Sequence, residues 1–178
     1  MTKQKWIIAS LVVLSSALFA AGQSKAARKT MFTSTYTSLG HGCQEIDGEG
    51  GTDGFSICRG PGGYQVRVYY SAASTQINAE LRGKEFYVPL ATLSLDFDQR
   101  KARVEWRLAN GKPFAAILRV PTYGDPEKEF EYFGKVNGGR LSIKGLKGHD
   151  DIDLAVDTKT PNANAKAREL ADAAYLKK

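Results

Sequence analysis

Between Tyr64 and Val120 apolar side chains keep returning at every second position, and this alternation restricts the chain to strands with one face on a core and one in water. Tyr64, Val66, Val68 and Tyr70 alternate with Gln65, Arg67 and Tyr69, and Leu93, Leu95 and Phe97 alternate with Ser94, Asp96 and Asp98. Val104-Glu105-Trp106-Arg107-Leu108 repeats the pattern. Asn110-Gly111 then separates it from the apolar run Phe114 to Val120, which is the signal of a tight hairpin. A two-residue loop would set Arg107 opposite Phe114, a charge against the core. A three-residue loop, Asn110 to Lys112, is therefore expected, pairing Leu108 with Phe114, Trp106 with Ala116 and Val104 with Leu118. Arg103 then faces Arg119, an unfavourable pair unless an anion or Glu105 intervenes.

A second hairpin reads from Phe130 to Val136, through Asn137-Gly138-Gly139, to Arg140 to Lys144, with a last short strand over Asp151 to Val156. Glu85 to Leu90 reads as a strand that Pro89 confines to an edge or an end. Ser74 to Glu80 is ambiguous. From Gly42 to Gly63 glycines are too dense to pack a core, so this stretch is expected to be a loop, and Gly60-Pro61-Gly62-Gly63 a tight turn. The period changes after Pro161. Ala163, Ala167, Leu170, Ala171 and Ala174 share one helical face, and Arg168 and Asp172 form an i,i+4 pair on the other. Asn162 supplies a cap and Lys177-Lys178 complement the dipole, giving a helix over residues 162–177. The expected fold is mainly β, an antiparallel sandwich or open barrel with one C-terminal α-helix laid across it by its alanine face.

Ahead of the strands, Lys3 and Lys5 precede an apolar run from Trp6 to Leu18 and the small residues Ala20-Ala21-Gly22, the pattern of a secretory signal peptide. The run is short of the ~20 residues that span a bilayer. Cleavage after Gly22 fits best and cleavage after Ala26 is the fallback; a retained N-terminal anchor is the alternative. With no cysteine near the cleavage zone, the pattern is not that of a lipoprotein. The chain thus divides into a signal peptide at 1–22, an N-terminal segment at 23–40 and a single β-rich domain at 41–178. After cleavage no transmembrane segment remains, and periplasmic or secreted localisation follows.

An exported protein matures in an oxidising compartment, so its two cysteines, Cys43 and Cys58, are expected to pair. Closing a loop of about 15 residues is worth roughly 3 kcal/mol. A redox or metal pair would want Cys-x-x-Cys or a histidine pattern, and neither is present. Removing residues 1–22 takes two lysines and no acid, lowering the formal charge from +6 to +4. That charge, spread among both signs, does not point to nucleic acid.

Chemistry is hard to assemble from what remains. His41 and His149, the only histidines, have no metal-ligand spacing and read as exposed loop residues, and no serine sits in Gly-x-Ser-x-Gly. Asp47, Glu49 and Asp53, and His149 with Asp150, Asp151 and Asp153, offer oxygens for calcium but match no EF-hand, so solvated turns are the plainer reading. Gly60 to Gly63 lacks the lysine and following helix of a phosphate loop. No catalytic, metal or cofactor residue is assigned. The surface candidates are Arg67, Arg103, Arg107 and Arg119 on wet strand faces, with Tyr69 nearby, a basic and partly aromatic patch suited to a protein partner or an anionic envelope component.

Three motifs carry a family resemblance: Cys58-Arg59-Gly60-Pro61-Gly62-Gly63-Tyr64; Glu105-Trp106-Arg107-Leu108 with the stretch Gly111 to Arg119; and Asn162-Ala163-Asn164 followed by Ala167 to Asp172. Through them the chain resembles a family of uncharacterised exported proteins from alphaproteobacteria, over most of its mature length. Such proteins often carry a further cysteine shortly before the C-terminal helix, which this chain lacks, so its disulfide pattern is reduced. The resemblance implies an envelope location and no activity. The residues favour a non-enzymatic exported binding protein, with an inhibitor of an envelope-active enzyme as one version. Lysozyme is a poor target, since two basic proteins associate slowly. An envelope hydrolase using carboxylates and a structural envelope protein are the alternatives.

Overall fold

In the computed structural model, residues 29–48, 54–71, 74–93, 98, 101–123 and 136–177 are described. They form ten strands and one helix. In chain order these are β1 (Phe32–Ser38), β2 (Cys43–Asp47), β3 (Gly54–Arg59), β4 (Tyr64–Tyr70), β5 (Thr75–Leu81), β6 (Tyr87–Leu93), β7 (Arg103–Ala109), β8 (Lys112–Tyr123), β9 (Val136–Gly145), β10 (Asp153–Asp157) and α1 (Ala163–Leu176). The strands make two five-stranded antiparallel sheets, ordered β1-β7-β8-β9-β10 (sheet A) and β2-β3-β4-β5-β6 (sheet B). Neither closes on itself, so the fold is a sandwich rather than a barrel, with α1 on the outer face of sheet A. The signal-peptide stretch lies outside the described residues, as do Leu95, Phe97 and Phe130.

Alternation decides which residues meet. Val66, Val68, Ile77, Ala79, Leu90 and Leu93 of sheet B interdigitate with Val104, Trp106, Ala116, Leu118 and Val120 of sheet A in one buried cluster. The intervening residues of β8 and β9, Ala115, Ile117, Leu141 and Ile143, face the other way and meet Ala163, Ala167 and Ala171 of α1 in a second cluster. Alanine on that helix face lets the backbone approach the sheet closely. Ser34 and Tyr36 lie on the helix side of β1, which places residues 32–38 of the N-terminal segment inside the sandwich as a paired strand of sheet A.

At the centre, Trp106 is fully buried and its Nε1–H donates to Thr37 Oγ1 at 2.8 Å, while the Thr37 hydroxyl donates to the Arg59 carbonyl at 2.9 Å. The relay ties β7 and β1 of sheet A to the end of β3 in sheet B. Gly60 follows, and a Cβ there would come within 2.7 Å of the Trp106 ring, so no larger residue fits beneath the indole.

Four local expectations need correction. The Gly42–Gly63 stretch is not a loop but contains the β2–β3 hairpin, in which Cys43 and Cys58 are direct cross-strand partners joined by the disulfide. Gly60, Gly62 and Gly63 fall in the connection to β4 and Gly54 opens β3 opposite Asp47, while Gln44, Ile46, Phe55 and Ile57 pair across the hairpin. The Asn110-Gly111 hairpin has the shorter, two-residue loop, with Ala109 opposite Lys112 and both turn residues at positive φ (51° and 79°), as a tight primed turn requires. A bulge between Arg107 and Leu108 then restores the expected pairs, Trp106 with Ala116 and Val104 with Leu118, while Leu108 meets Pro113 instead of Phe114. Asn137-Gly138-Gly139 is not a turn either. It lies inside β9, with a bulge at Asn137, and Thr158 crosses Gly139 to give its carbonyl two hydrogen bonds. Finally, Asn162 is left-handed (φ 55°) and its side chain caps nothing. One other expectation holds: β6 with Pro89 is an edge strand. The stretch that the sequence leaves ambiguous forms strand β5 from Thr75.

Thr37→Val should leave the buried indole N–H and the Arg59 carbonyl without partners, lowering unfolding free energy by about 2 kcal/mol, read as a lower urea midpoint at unchanged slope. A second expectation concerns pH. Tyr64 is buried, and burial raises its pKa; a hydrogen bond from the Lys147 N–H to its hydroxyl works in the opposite direction, as the smaller effect. A phenol raised on folding contributes stability that is complete below its unfolded value of about 10 and is lost as pH climbs through the folded value. Tyr64→Phe should flatten the alkaline limb of the stability profile.

Candidate functional site

The outer face of sheet A is where sequence and structure differ most. Arg103, Glu105 and Arg107 of β7 stand on it in a row, with Arg119 of β8 beside them. Period two alone makes all four wet. However, α1 crosses this face, and Glu105 and Arg107 are buried at 8% exposure each. Arg107 donates through Nε (2.9 Å) and Nη2 (2.6 Å) to the Asp172 carboxylate, and through Nη1 to Ser34 Oγ at 2.9 Å. Glu105 Oε1 accepts from Arg168 Nε and from Ser34 Oγ, both at 2.6 Å. Arg168 also donates to the Tyr36 hydroxyl at 3.1 Å. The Glu105 hydrogen bond raises the Arg168 pKa above the ordinary arginine value, against the lesser cost of burial. The expected Arg168–Asp172 pair on the helix is therefore replaced by two ion pairs to the sheet. They clamp α1 in a single orientation, since each bond has a fixed partner on β7.

The clamp leaves a groove beyond the start of α1. Its volume is about 810 Å³, within the range of ligand sites. Ile117, Val120 and Leu141, all at least 95% buried, make an apolar floor, and Tyr36, Tyr123 and Asn164 stand at its walls. Arg103 and Arg119 line it as exposed side chains. Among the described residues neither makes an ion pair; Arg119 has only a 3.4 Å contact from Nη2 to Asn164 Oδ1. Lys101, also at the groove, pairs with Asp98 at 3.2 Å. Among the described residues two cations thus share one cavity without a carboxylate paired to either, an arrangement suited to an anion.

The four arginines do not form one patch. Arg103 and Arg119 share the groove. Arg107 is a correction: it is buried beneath α1, with its charge spent on Asp172. Arg67 lies on the far side of the sandwich, on the outer face of sheet B. There Glu80 accepts from its Nε at 2.9 Å, and its guanidinium sits 4.5 Å from the Phe55 ring centre and 5.6 Å from that of Tyr69.

His149 is corrected too. It is half-buried, stacked on Tyr175 at 5.0 Å with Phe114 beside it at 5.8 Å. His41 is exposed, as read. No group of three His, Cys, Asp or Glu stands close enough to hold a metal among the described residues; Glu49 and Asp53 lie outside them. Two groove residues, Asn164 and Arg168, come from α1. Sequence reading missed their role because it depends on how the helix docks.

No helix among the described residues is long and apolar enough to cross a membrane. Comparison with protein-family models, with curated proteins and with solved structures gave no match to this chain, so function is argued from the site itself.

The clamp can be tested directly. Asp172→Ala leaves Arg107 charged and buried, and should cost about 3 kcal/mol in urea unfolding. Lys166→Ala, which opens only the exposed 3.6 Å pair with Glu169, should cost at most ~0.5 kcal/mol in the same assay.

Proposed function

We propose that the chain is an exported, non-enzymatic binding protein that takes an anionic envelope component, or an acidic segment of a partner, in the groove between sheet A and the start of α1. The observation that carries this reading is the pair Arg103 and Arg119, exposed at one cavity with an apolar floor and with no carboxylate paired to either among the described residues. An apolar floor under two cations suits an anion borne on an apolar body better than a small inorganic ion. The N-terminal pattern at residues 1–22 and the Cys43–Cys58 disulfide support export, since such bonds persist in oxidising compartments. The family resemblance to exported alphaproteobacterial proteins points the same way.

Among the described residues, Glu105 and Asp98 are the carboxylates of the groove. Hydrolysis with paired carboxylates needs one of them free to give or take a proton. Glu105 is held by Arg168 and Ser34, which favours the binding reading over the hydrolase.

The protein, produced with its own N-terminus and purified oxidised from the envelope fraction, would be immobilised and exposed to envelope extract at ~0.15 M and ~1 M salt, where screening lengths differ roughly threefold. One discrete component should be retained by the wild type at the lower salt and lost in Arg103→Ala/Arg119→Ala. Equal retention by the double variant would sink the groove as the site. Recovery of the chain in the cytosol with residues 1–22 intact would sink export.

A further inference from the structure

Each sheet has two edge strands, and an edge offers its unpaired backbone groups to any other chain unless something blunts it. Three of the four edges are blunted. β2 carries Glu45 and Asp47, and β10 carries Asp153 and Asp157, so either one laid antiparallel along its own copy opposes acid to acid. β6 carries Pro89, which has no N–H, and its register with β5 is broken by a bulge. β1 has none of these devices. Its seven residues, Phe-Thr-Ser-Thr-Tyr-Thr-Ser, include no charge and no proline, and it pairs with β7 along its whole length without a bulge.

The hydrogen bonds at the two ends of the β1–β7 ladder show which backbone groups are left over. The Asn110 N–H donates to the Met31 carbonyl at 2.8 Å, and the Leu39 N–H to the Ala102 carbonyl at 3.0 Å. Odd-numbered residues of β1 therefore turn their backbone to β7, and Phe32, Ser34, Tyr36 and Ser38 turn theirs outward. Among the described residues, nothing hydrogen-bonds to the backbone N–H or carbonyl of Phe32, Ser34 or Tyr36. The strand is also held firmly from behind. Ser34 Oγ lies between Glu105 and Arg107, and the Tyr36 hydroxyl accepts from Arg168. Apolar surface accompanies the edge, with Met31 64% and Tyr36 53% exposed.

We infer that β1 is a pairing edge for a second copy of this chain, joined antiparallel about a two-fold axis at Thr35 into one continuous sheet with five strands from each copy. In this register outward groups meet outward groups. Ser34 faces Tyr36 of the second copy and Phe32 faces Ser38 of the second copy, each pair made twice and each exchanging backbone hydrogen bonds. Thr35 faces Thr35 of the second copy across the axis, and cross-strand threonine pairs are favourable. No charge in the strand opposes another. A two-fold contact requires a surface that complements itself, and among the four edges β1 alone meets that requirement. Its preset backbone lowers the cost of ordering. A single strand edge is nevertheless a small interface, which puts the dissociation constant at ~1 to 100 µM. The inference does not depend on what the basic groove holds.

The test is sedimentation equilibrium of the full, oxidised protein over a range of ~1 to 500 µM. Molar mass should rise from that of one chain to that of two. Thr35→Lys sets two ammonium groups against each other at the axis and should raise the dissociation constant ~10-fold or more, and Thr35→Glu should do the same with two carboxylates. Thr35 is exposed, so neither change disturbs the fold. An equimolar mixture of the two variants should associate again, because residue 35 then meets the opposite charge. Ala155→Lys, on the exposed edge of β10, should leave association unchanged. A protein that stays monomeric throughout the range, its edge left to water or to another chain, overturns the inference. So does association that Thr35→Lys leaves intact or Ala155→Lys abolishes, or a mixture that associates no better than either variant alone.

Discussion

The hydrogen-bond relay from Trp106 through Thr37 to the Arg59 carbonyl joins the two sheets at the point where neither could be moved alone. Sheet packing by itself is tolerant, because aliphatic side chains slide over one another at small cost until a directional bond fixes them. Here a buried indole N–H has one acceptor, and that acceptor's hydroxyl has one carbonyl to meet. An unpaired group at this depth costs more than the bond contributes. The relay therefore sets the position of β1 against the end of β3, and with it the turn at Gly60 whose backbone lies under the indole. The disulfide at Cys58 sits one residue from the same carbonyl, so the covalent staple and the relay brace one corner of the sandwich.

Much of this architecture was legible because strands announce themselves at short range. The alternation from Tyr64 to Tyr70 and from Val104 to Leu108 states which residues face a core, and the cores are built from them. What could not be read was where small residues serve a strand instead of ending one. Asn137-Gly138-Gly139 carries every local mark of a turn, yet β9 continues through it with a bulge at Asn137, and the bare Gly139 lets Thr158 cross close above it. The Asn110-Gly111 turn shows a related limit. The face argument chose the right partners for Trp106 and Val104, but a short loop with a bulge reaches the same register as a longer loop without one. Side-chain pattern fixes register, and only backbone geometry chooses between the two routes to it.

The sites were less legible for a different reason. Alternation assigns a charged residue to the face away from the core, but it says nothing about what else covers that face. Arg107 and Glu105 were placed on the correct side of β7, and their burial comes entirely from α1, whose partners Arg168 and Asp172 stand more than sixty residues further along the chain. Arg103 and Arg119 lie on the same face just past the helix start, and stay exposed. About two turns of helix, from Asn164 beside Arg119 to Asp172 beside Arg107, separate a structural arginine from a candidate ligand-binding one. Arg67 fails differently: it shares the pattern of the others, but its strand belongs to the opposite sheet.

The two outer faces of the sandwich then differ in kind because of what each sheet must do. Sheet A buries its outer face under α1, which packs by its alanines and is oriented by the ion pairs to Arg107 and Glu105, while Arg103 and Arg119 stand beyond the clamp with no ion pair among the described residues. No described element packs on the outer face of sheet B, whose charges therefore cancel locally, Arg67 against Glu80, leaving rings and amides at the surface. Between the two faces lies a close-packed apolar layer of sheet-on-sheet thickness, ~10 Å. That layer is built by Val66, Val68, Ile77, Trp106 and Leu118, none of which reaches either outer face. The outer faces of the two sheets are thus shaped separately, one by the helix that docks on it and the other by pairing among its own side chains.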